Sequence, residues 1–347
     1  MWHGCTHIAG LYPLRTAQQD FLLYGADLIA GLGFRTIKFE FSIAYNTTKY
    51  PNQDFGGTAS NFTQLAQTTP FATVFSDARF DRYLLSCFSI DQPQDNAWAG
   101  KWTDAVGDAV ETEMYNLAVH LATTYPAKEF ILKNWEGDWQ LLNSFNPSDA
   151  QRRAWLNAYL DFQRRRQRAV RAAMRDVSTG GRVYYAVECN RVLDDYGLRV
   201  HRDVVPVIQP DMVSLSCYEA IEGWTAAGGS ITDQTAIEAD IAAKLASIKT
   251  RLTMEGMPNG TPVFLGEFGF PQEAPYWPGT LNAVGMLGAV VTNAQALGFT
   301  GAVYWQGLSN EEYAAGSPRG FNLWSRNGNS ATVGARNALG DYYAGIL

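Results

Sequence analysis

The chain has 347 residues, 46% of them hydrophobic, and a formal net charge of −7. That content suits one large globular core, and the acidic balance disfavours a polyanionic partner such as nucleic acid. No apolar run approaches the roughly 20 residues of a membrane span, so a membrane-spanning helix is not expected.

Strand-like and helix-like segments alternate along the chain. The start, Met1-Trp-His-Gly-Cys-Thr-His, lacks the basic start and apolar core of a signal peptide. Its segment Trp2–Ile8 serves as a first strand. A secreted or periplasmic location with a leader already removed stays open. A helix over Gln18–Leu32, closed by Gly33, leads to the strand Thr36–Ser42. The polar stretch Tyr45–Asp77, rich in Asn, Thr and Gly, is expected to be a long loop. Tyr83–Ile90 is the third strand. A helix over Ala105–Thr123 leads to the strand Phe130–Asn134. A helix over Asp149–Arg175 leads to Val183–Glu188, and Met212–Tyr218 is the next strand. A helix over Thr235–Thr253 leads to Val263–Gly266, and one over Leu281–Leu297 leads to Gly301–Gln306. The last helix is placed at about Ala331–Tyr343.

Regular strand-then-helix alternation implies parallel strands with right-handed crossovers. Eight such units close into a barrel. No G-x-G-x-x-G follows the first strand to favour an open dinucleotide-binding sheet. No linker or composition break divides the chain. The expectation is therefore one α/β domain over residues 1–347, a (β/α)8 TIM barrel with elaborated top-face loops.

Cys5, Cys87, Cys189 and Cys217 are far apart and form no C-x-x-C pair, so buried thiols are expected rather than zinc ligands. A disulfide between neighbouring strands stays open. Only four His occur, and none forms a His-x-His at a strand end. A metal-dependent barrel hydrolase would have to hold its ions mostly by carboxylates, so no metal or cofactor is expected.

Two strand tips carry carboxylates. Val263-Phe-Leu-Gly-Glu267 is a short apolar run ending in Glu267 between Gly266 and Gly269. Phe130-Ile-Leu-Lys-Asn134-Trp-Glu136-Gly-Asp-Trp ends another strand in Glu136. Side chains alternate across a strand. On that rule Asn134 and Glu136 share the barrel-interior face with Phe130 and Leu132, and Glu267 shares it with Val263 and Leu265. Strands four and seven lie on opposite sides of the barrel. Their carboxylates can then approach to about 5–5.5 Å, the separation used by retaining glycosidases.

This arrangement resembles clan A, the "4/7" superfamily of retaining (β/α)8 glycoside hydrolases. The resemblance implies Glu136 as acid/base and Glu267 as nucleophile. It also implies Asn134 as a donor to the sugar 2-hydroxyl, Tyr218 as a hydrogen-bond partner of the nucleophile, and Trp305 as a floor for the sugar. The clan has Asn directly before its acid/base Glu, whereas here Trp135 intervenes.

Other polar or aromatic strand tips and top-face loops are candidates for carbohydrate contact: Glu188, Asn190, Glu40 and Asp91, and His3 and His7 beside strand one. Lys38 and Glu40 share one face and are expected to form a buried pair. Trp98, Trp102, Trp139, Trp224 and Trp277 suit stacking on sugar rings. Asn46, Asn61 and Asn259 open Asn-x-Ser/Thr sequences, which matter only in a eukaryotic secretory system. The arginines from Arg152 to Arg175 are expected to form a solvated outer helix face. The leading expectation is a retaining hydrolase of β-linked oligo- or polysaccharides. A catalytically silent carbohydrate-binding barrel is the alternative, and a carboxylate-metal hydrolase a weaker one. Sugar, linkage and oligomeric state are not legible.

Overall fold

The computed structural model describes residues 1–8, 20–43, 49–50, 52–88, 102–141, 148–194, 197–221, 233–254, 260–270, 282–308, 321–326 and 333–347. In chain order the elements are β1 (Trp2–His7), α1 (Phe21–Leu32), β2 (Thr36–Ser42), α2 (Phe62–Gln67), α3 (Thr69–Ser76), β3 (Arg82–Phe88) and α4 (Asp104–Thr124). Then follow β4 (Glu129–Lys133), α5 (Gly137–Leu141), α6 (Asp149–Asp176), β5 (Arg182–Cys189), α7 (Val205–Ile208), β6 (Met212–Ser216) and α8 (Gln234–Met254). The chain ends with β7 (Val263–Phe268), α9 (Ala283–Ala296), β8 (Gly301–Tyr304), β9 (Trp324–Arg326), β10 (Val333–Arg336) and α10 (Ala338–Ile346).

Strands β1 to β8 form a closed barrel in sequence order, every neighbouring pair parallel, with β8 returning to β1. The expected (β/α)8 fold is present. Two of the long outer helices start at side-chain caps. Thr103 accepts from the Val106 N–H ahead of α4, and Ser148 with Gln151 forms a capping box at α6. Gly33 closes α1 at φ 108°, a left-handed conformation that glycine adopts without a Cβ clash.

Three expectations are corrected. The stretch drawn as a loop contains α2 and α3, whose apolar residues Phe62, Leu65, Phe71, Val74 and Phe75 pack into the core. The last helix begins only at Ala338, because Val333–Arg336 pairs antiparallel with Trp324–Arg326. Strand six stops at Ser216, and Tyr218 opens a short 3-10 turn.

The barrel separates two apolar regions. Strand residues such as Phe130, Leu132, Val263 and Leu265 belong to the large core between barrel and helices. Leu84, Ile131, Ala186, Met212, Phe264 and Val303, one from each of β3 to β8, form a second cluster inside the barrel. Trp2 and Tyr184 pack against it. Two residues further along each strand, a side chain must again point inward. Those positions are Ser86, Lys133, Glu188, Ser214, Gly266 and Trp305. The barrel is therefore apolar at its floor and polar one layer higher, towards the strand C-termini.

Candidate active site

The polar layer supports the two carboxylates. Glu136, just past β4, is half-buried and accepts a hydrogen bond from Ser216 Oγ on β6 at 2.6 Å. Glu267, near the end of β7, is buried and pairs with Lys38 Nζ from β2 at 2.8 Å. The same ammonium donates to the Gly266 carbonyl at 3.0 Å and lies 5.2 Å from the centroid of a Trp305 ring. Side chains from β2, β4, β6, β7 and β8 thus meet at the C-terminal end of the barrel, where barrel enzymes keep their catalytic groups.

Both carboxylates face inward for a reason that strict alternation misses. On β7, Leu215 pairs with Leu265 but Ser216 pairs with Glu267, so β7 carries one extra residue there. The register with β8 shifts over the same stretch. This is a bulge at Gly266. Gly266 uses the inward place that follows Phe264, and the bulge lets Glu267 turn inward as well. A Cβ at Gly266 would stand 1.8 Å from Ser214 Oγ and 2.7 Å from Glu188 Oε2, so the position excludes any larger residue. On β4 the ladder stops at Lys133, and the chain after Asn134 is free to redirect Glu136.

Asn134 accordingly does not share the interior face with Glu136. It is fully buried on the outer side, where its Nδ2 donates to the Tyr159 hydroxyl of α6 at 3.1 Å and its Oδ1 accepts the Glu188 N–H at 3.0 Å. That commitment removes it as a donor to sugar. Val263 and Leu265 likewise face the helices rather than the interior.

The remaining expected site residues divide. Glu188 lies one layer below the mouth, fully buried, its Oε2 2.5 Å from Lys133 Nζ and 2.6 Å from Ser214 Oγ. It is a support rather than a sugar contact. Asn190 is turned to the α5 start, where its Oδ1 accepts the Asp138 N–H at 2.9 Å. Asp138 is a clamp: it accepts from the backbone N–H groups of Asn190, Arg191 and Val200. Tyr218 is half-buried at the start of its 3-10 turn, and Glu267 is paired with Lys38. Trp305 is buried beside Lys38. Trp139 is 44% exposed three residues after Glu136, with the Arg191 guanidinium 5.4 Å from its ring centroid. Trp98, Trp224, Trp277 and Asp91 lie outside the described residues.

Lys38 and Glu40 do not pair with each other; Glu40 pairs with Lys49 at 2.9 Å. His3 and His7 sit on the outer face of β1. His7 is buried, with Nε2 3.1 Å from the Phe21 carbonyl oxygen, and burial pushes it down to about 4. Trp102 donates to Asp161 and packs on Phe162 of α6. The α6 arginines are not one solvated face. Arg166 is fully buried against Phe162 and donates to the Cys87 carbonyl, while Arg165, Arg168 and Arg171 pair with acids on α4, α6 and before β6. The four cysteines are buried free thiols.

The electrostatics distinguish the two carboxylates. Burial, with the nearby charge of Glu267 and then of Glu188, pushes Glu136 up to about 8 against the opposing hydrogen bond from Ser216 and charge of Lys38. Burial also raises Glu267, but the ammonium of Lys38 opposes that directly. Burial would raise Glu188 too, yet Lys133 and Lys38 hold it below its ordinary value. Three carboxyl groups thus face two buried lysines, and Glu136 is the one without an ammonium in direct contact among the described residues. Among the described residues no group of three His, Cys, Asp or Glu could hold a metal ion, and no helix is long and apolar enough to cross a membrane.

No family model matches the sequence, and no curated protein matches it. Solved structures do match. An exo-beta-1,4-mannosidase, Op5Man5 from Opitutaceae bacterium strain TAV5, is 15% identical with a TM-score of 0.61 and is covered over 59% of its own length by all of this chain. The beta-glycosidase BGL167 is 14% identical at a TM-score of 0.61, with 100% of this chain and 95% of that one covered. A hyperthermophilic endo-beta-1,4-glucanase in complex with substrate is 14% identical at a TM-score of 0.55, with 99% and 96% covered. At these identities the likeness establishes the barrel fold, and this chain spans somewhat under two thirds of the mannosidase.

Proposed function

We propose that the protein is a retaining glycoside hydrolase acting on β-linked oligo- or polysaccharides. One observation carries this reading. Two carboxyl groups from opposite sides of the barrel share one mouth, Glu136 bonded to a neutral hydroxyl and Glu267 to an ammonium. That asymmetry is what double displacement requires: a protonated acid and an ionised nucleophile.

In the first step a Glu267 carboxylate oxygen attacks the anomeric carbon as the glycosidic C–O bond breaks. The departing oxygen takes the proton of Glu136. In the second step Glu136, now a carboxylate, removes a proton from water. That water oxygen attacks the anomeric carbon and releases Glu267. Lys38 favours the charged form of Glu267 before attack. The exposed face of Trp139, close in sequence to the acid, suits stacking by a sugar ring on the leaving-group side. The mannosidase, beta-glycosidase and endoglucanase structures that share the fold support a β-glycosidic substrate.

The test is intact-protein mass spectrometry after incubation with 2-deoxy-2-fluoro glycosides of β-glucose, β-galactose, β-mannose and β-xylose. One added sugar on the peptide holding Glu267 is the expected result. An adduct on any other residue would reject Glu267 as nucleophile.

A further inference from the structure

The buried pair Lys133–Glu188 lies directly beneath Glu136, and its contacts go beyond filling the barrel. Glu188 Oε1 accepts the backbone N–H of Glu136 at 3.1 Å. Its Oε2 is held by Lys133 Nζ and Ser214 Oγ. Lys133 Nζ also donates to the Asn134 carbonyl at 3.3 Å, and the Glu188 N–H donates to Asn134 Oδ1. The short connection from β4 to Glu136 is therefore held at both ends by one ion pair. The same carboxylate reaches β7, because Glu188 Oε2 occupies the space that a side chain at Gly266 would need. Acid and nucleophile strands are thus fitted around one buried group.

We propose that Lys133 and Glu188 act as a positioning pair for the acid/base: Glu188 fixes the Glu136 backbone and turns a negative charge towards its carboxyl group, while Lys133 keeps Glu188 ionised. The proposal rests on the reading of Glu136 as the acid. Among the described residues, the groups that face Glu136 are Ser216 on β6, Glu267 on β7, Lys38 on β2 and Glu188 on β5, with Lys133 on its own strand. Lys38 is engaged with Glu267. Glu188 is thus the anion whose removal should let Glu136 ionise more easily while leaving the Lys38–Glu267 pair in place. Neither member of the pair touches substrate; both act through Glu136.

The experiment follows the Glu136 carboxyl carbon by NMR in protein labelled with 13C at glutamate side-chain carboxyls, the signal assigned by its loss in Glu136→Gln. The wild type should titrate near pH 8. In Glu188→Gln, which keeps an acceptor for the Glu136 N–H but removes the charge, the midpoint should fall by about one pH unit or more, as expected for removing a charge from a poorly solvated site. The alkaline limb of kcat/KM on natural β-glycans, whose leaving groups need the proton, should fall with it. The double variant Lys133→Gln/Glu188→Gln removes both charges but keeps the layer polar; because Glu188 is the member bonded to Glu136, it should lower the midpoint in the same direction, which keeps the test open if the single variant folds poorly. A midpoint unchanged in a folded variant overturns the proposal. So does an equal loss of activity at every pH with the limb unmoved, which would mark a purely structural role. Failure to cleave any glycoside would defeat the functional reading, and the Glu136 midpoint, read without substrate, would still decide whether the pair tunes that carboxyl group.

Discussion

Ser216 and Lys38 set the two carboxylates apart. A hydroxyl donor favours ionised Glu136 only modestly, so burial and the neighbouring anions prevail. An ammonium at 2.8 Å is the strongest opposition to protonation that Glu267 has. The free-enzyme pH profile should therefore be a bell whose alkaline limb lies near 8. Lys38→Met removes the charge that lowers the Glu267 pKa, so that pKa rises and the acid limb should move to higher pH. An acid limb that stays in place would show that Lys38 does not control Glu267. Glu136→Ala should cost on the order of 10²- to 10⁴-fold in kcat on natural glycans and much less on aryl glycosides with good leaving groups, which need little protonation. Equal losses on both substrates would remove Glu136 from the acid role.

At the scale of elements, function sits where regular pattern stops. The strand-helix alternation, and the two glutamates at the tips of β4 and β7, are legible in the sequence because short apolar runs end abruptly in Glu136 and Glu267. The side of the strand is not. Period two places Asn134 with Glu136, but β4 ends at Lys133 and β7 bulges at Gly266, so alternation fails at the two positions that matter. The polar layer does have a signature. Thr36, Lys38 and Glu40 alternate with Ile37, Phe39 and Phe41, and Ser214 and Ser216 alternate with Val213 and Leu215. In a parallel barrel strand covered by helices, the polar set must be the inward one. Contacts between Lys38 and Glu267, 229 positions apart, have no local signature. The loops after β4 and β5 are tied by Asp138, whose carboxylate takes three backbone N–H groups. Asp138→Ala leaves those buried donors unpaired and should cost about 3–5 kcal/mol of stability in denaturant unfolding, summed from roughly 1–3 kcal/mol per orphaned group with incomplete additivity. A loss under about 1 kcal/mol, the low end for a single orphaned group, would show that the loops hold without the clamp.

Across the whole molecule, the barrel interior changes character with height. Its floor is Leu84, Ile131, Ala186, Met212, Phe264 and Val303, an ordinary apolar filling. One layer up it buries a lysine and a glutamate, both 0% exposed. Removing two charges from water costs several kcal/mol per ion, and their attraction seldom recovers more than that. A protein selected only for stability would continue the apolar filling upward. Lys133→Met/Glu188→Leu makes that continuation; the roughly 0–4 kcal/mol gained by removing two buried charges is set against about 1–3 kcal/mol for leaving the Glu136 N–H without its acceptor, so thermal unfolding should show a Tm close to that of the parent. Lys133→Met alone leaves Glu188 buried without its counter-ion and should lose about 3–5 kcal/mol. The contrast is the informative quantity. If the double variant fell as far as the single one, the pair would be part of what holds the barrel together. If it keeps or gains stability while Glu188→Gln moves the Glu136 titration down, the charged layer is retained against stability, for the acid above it.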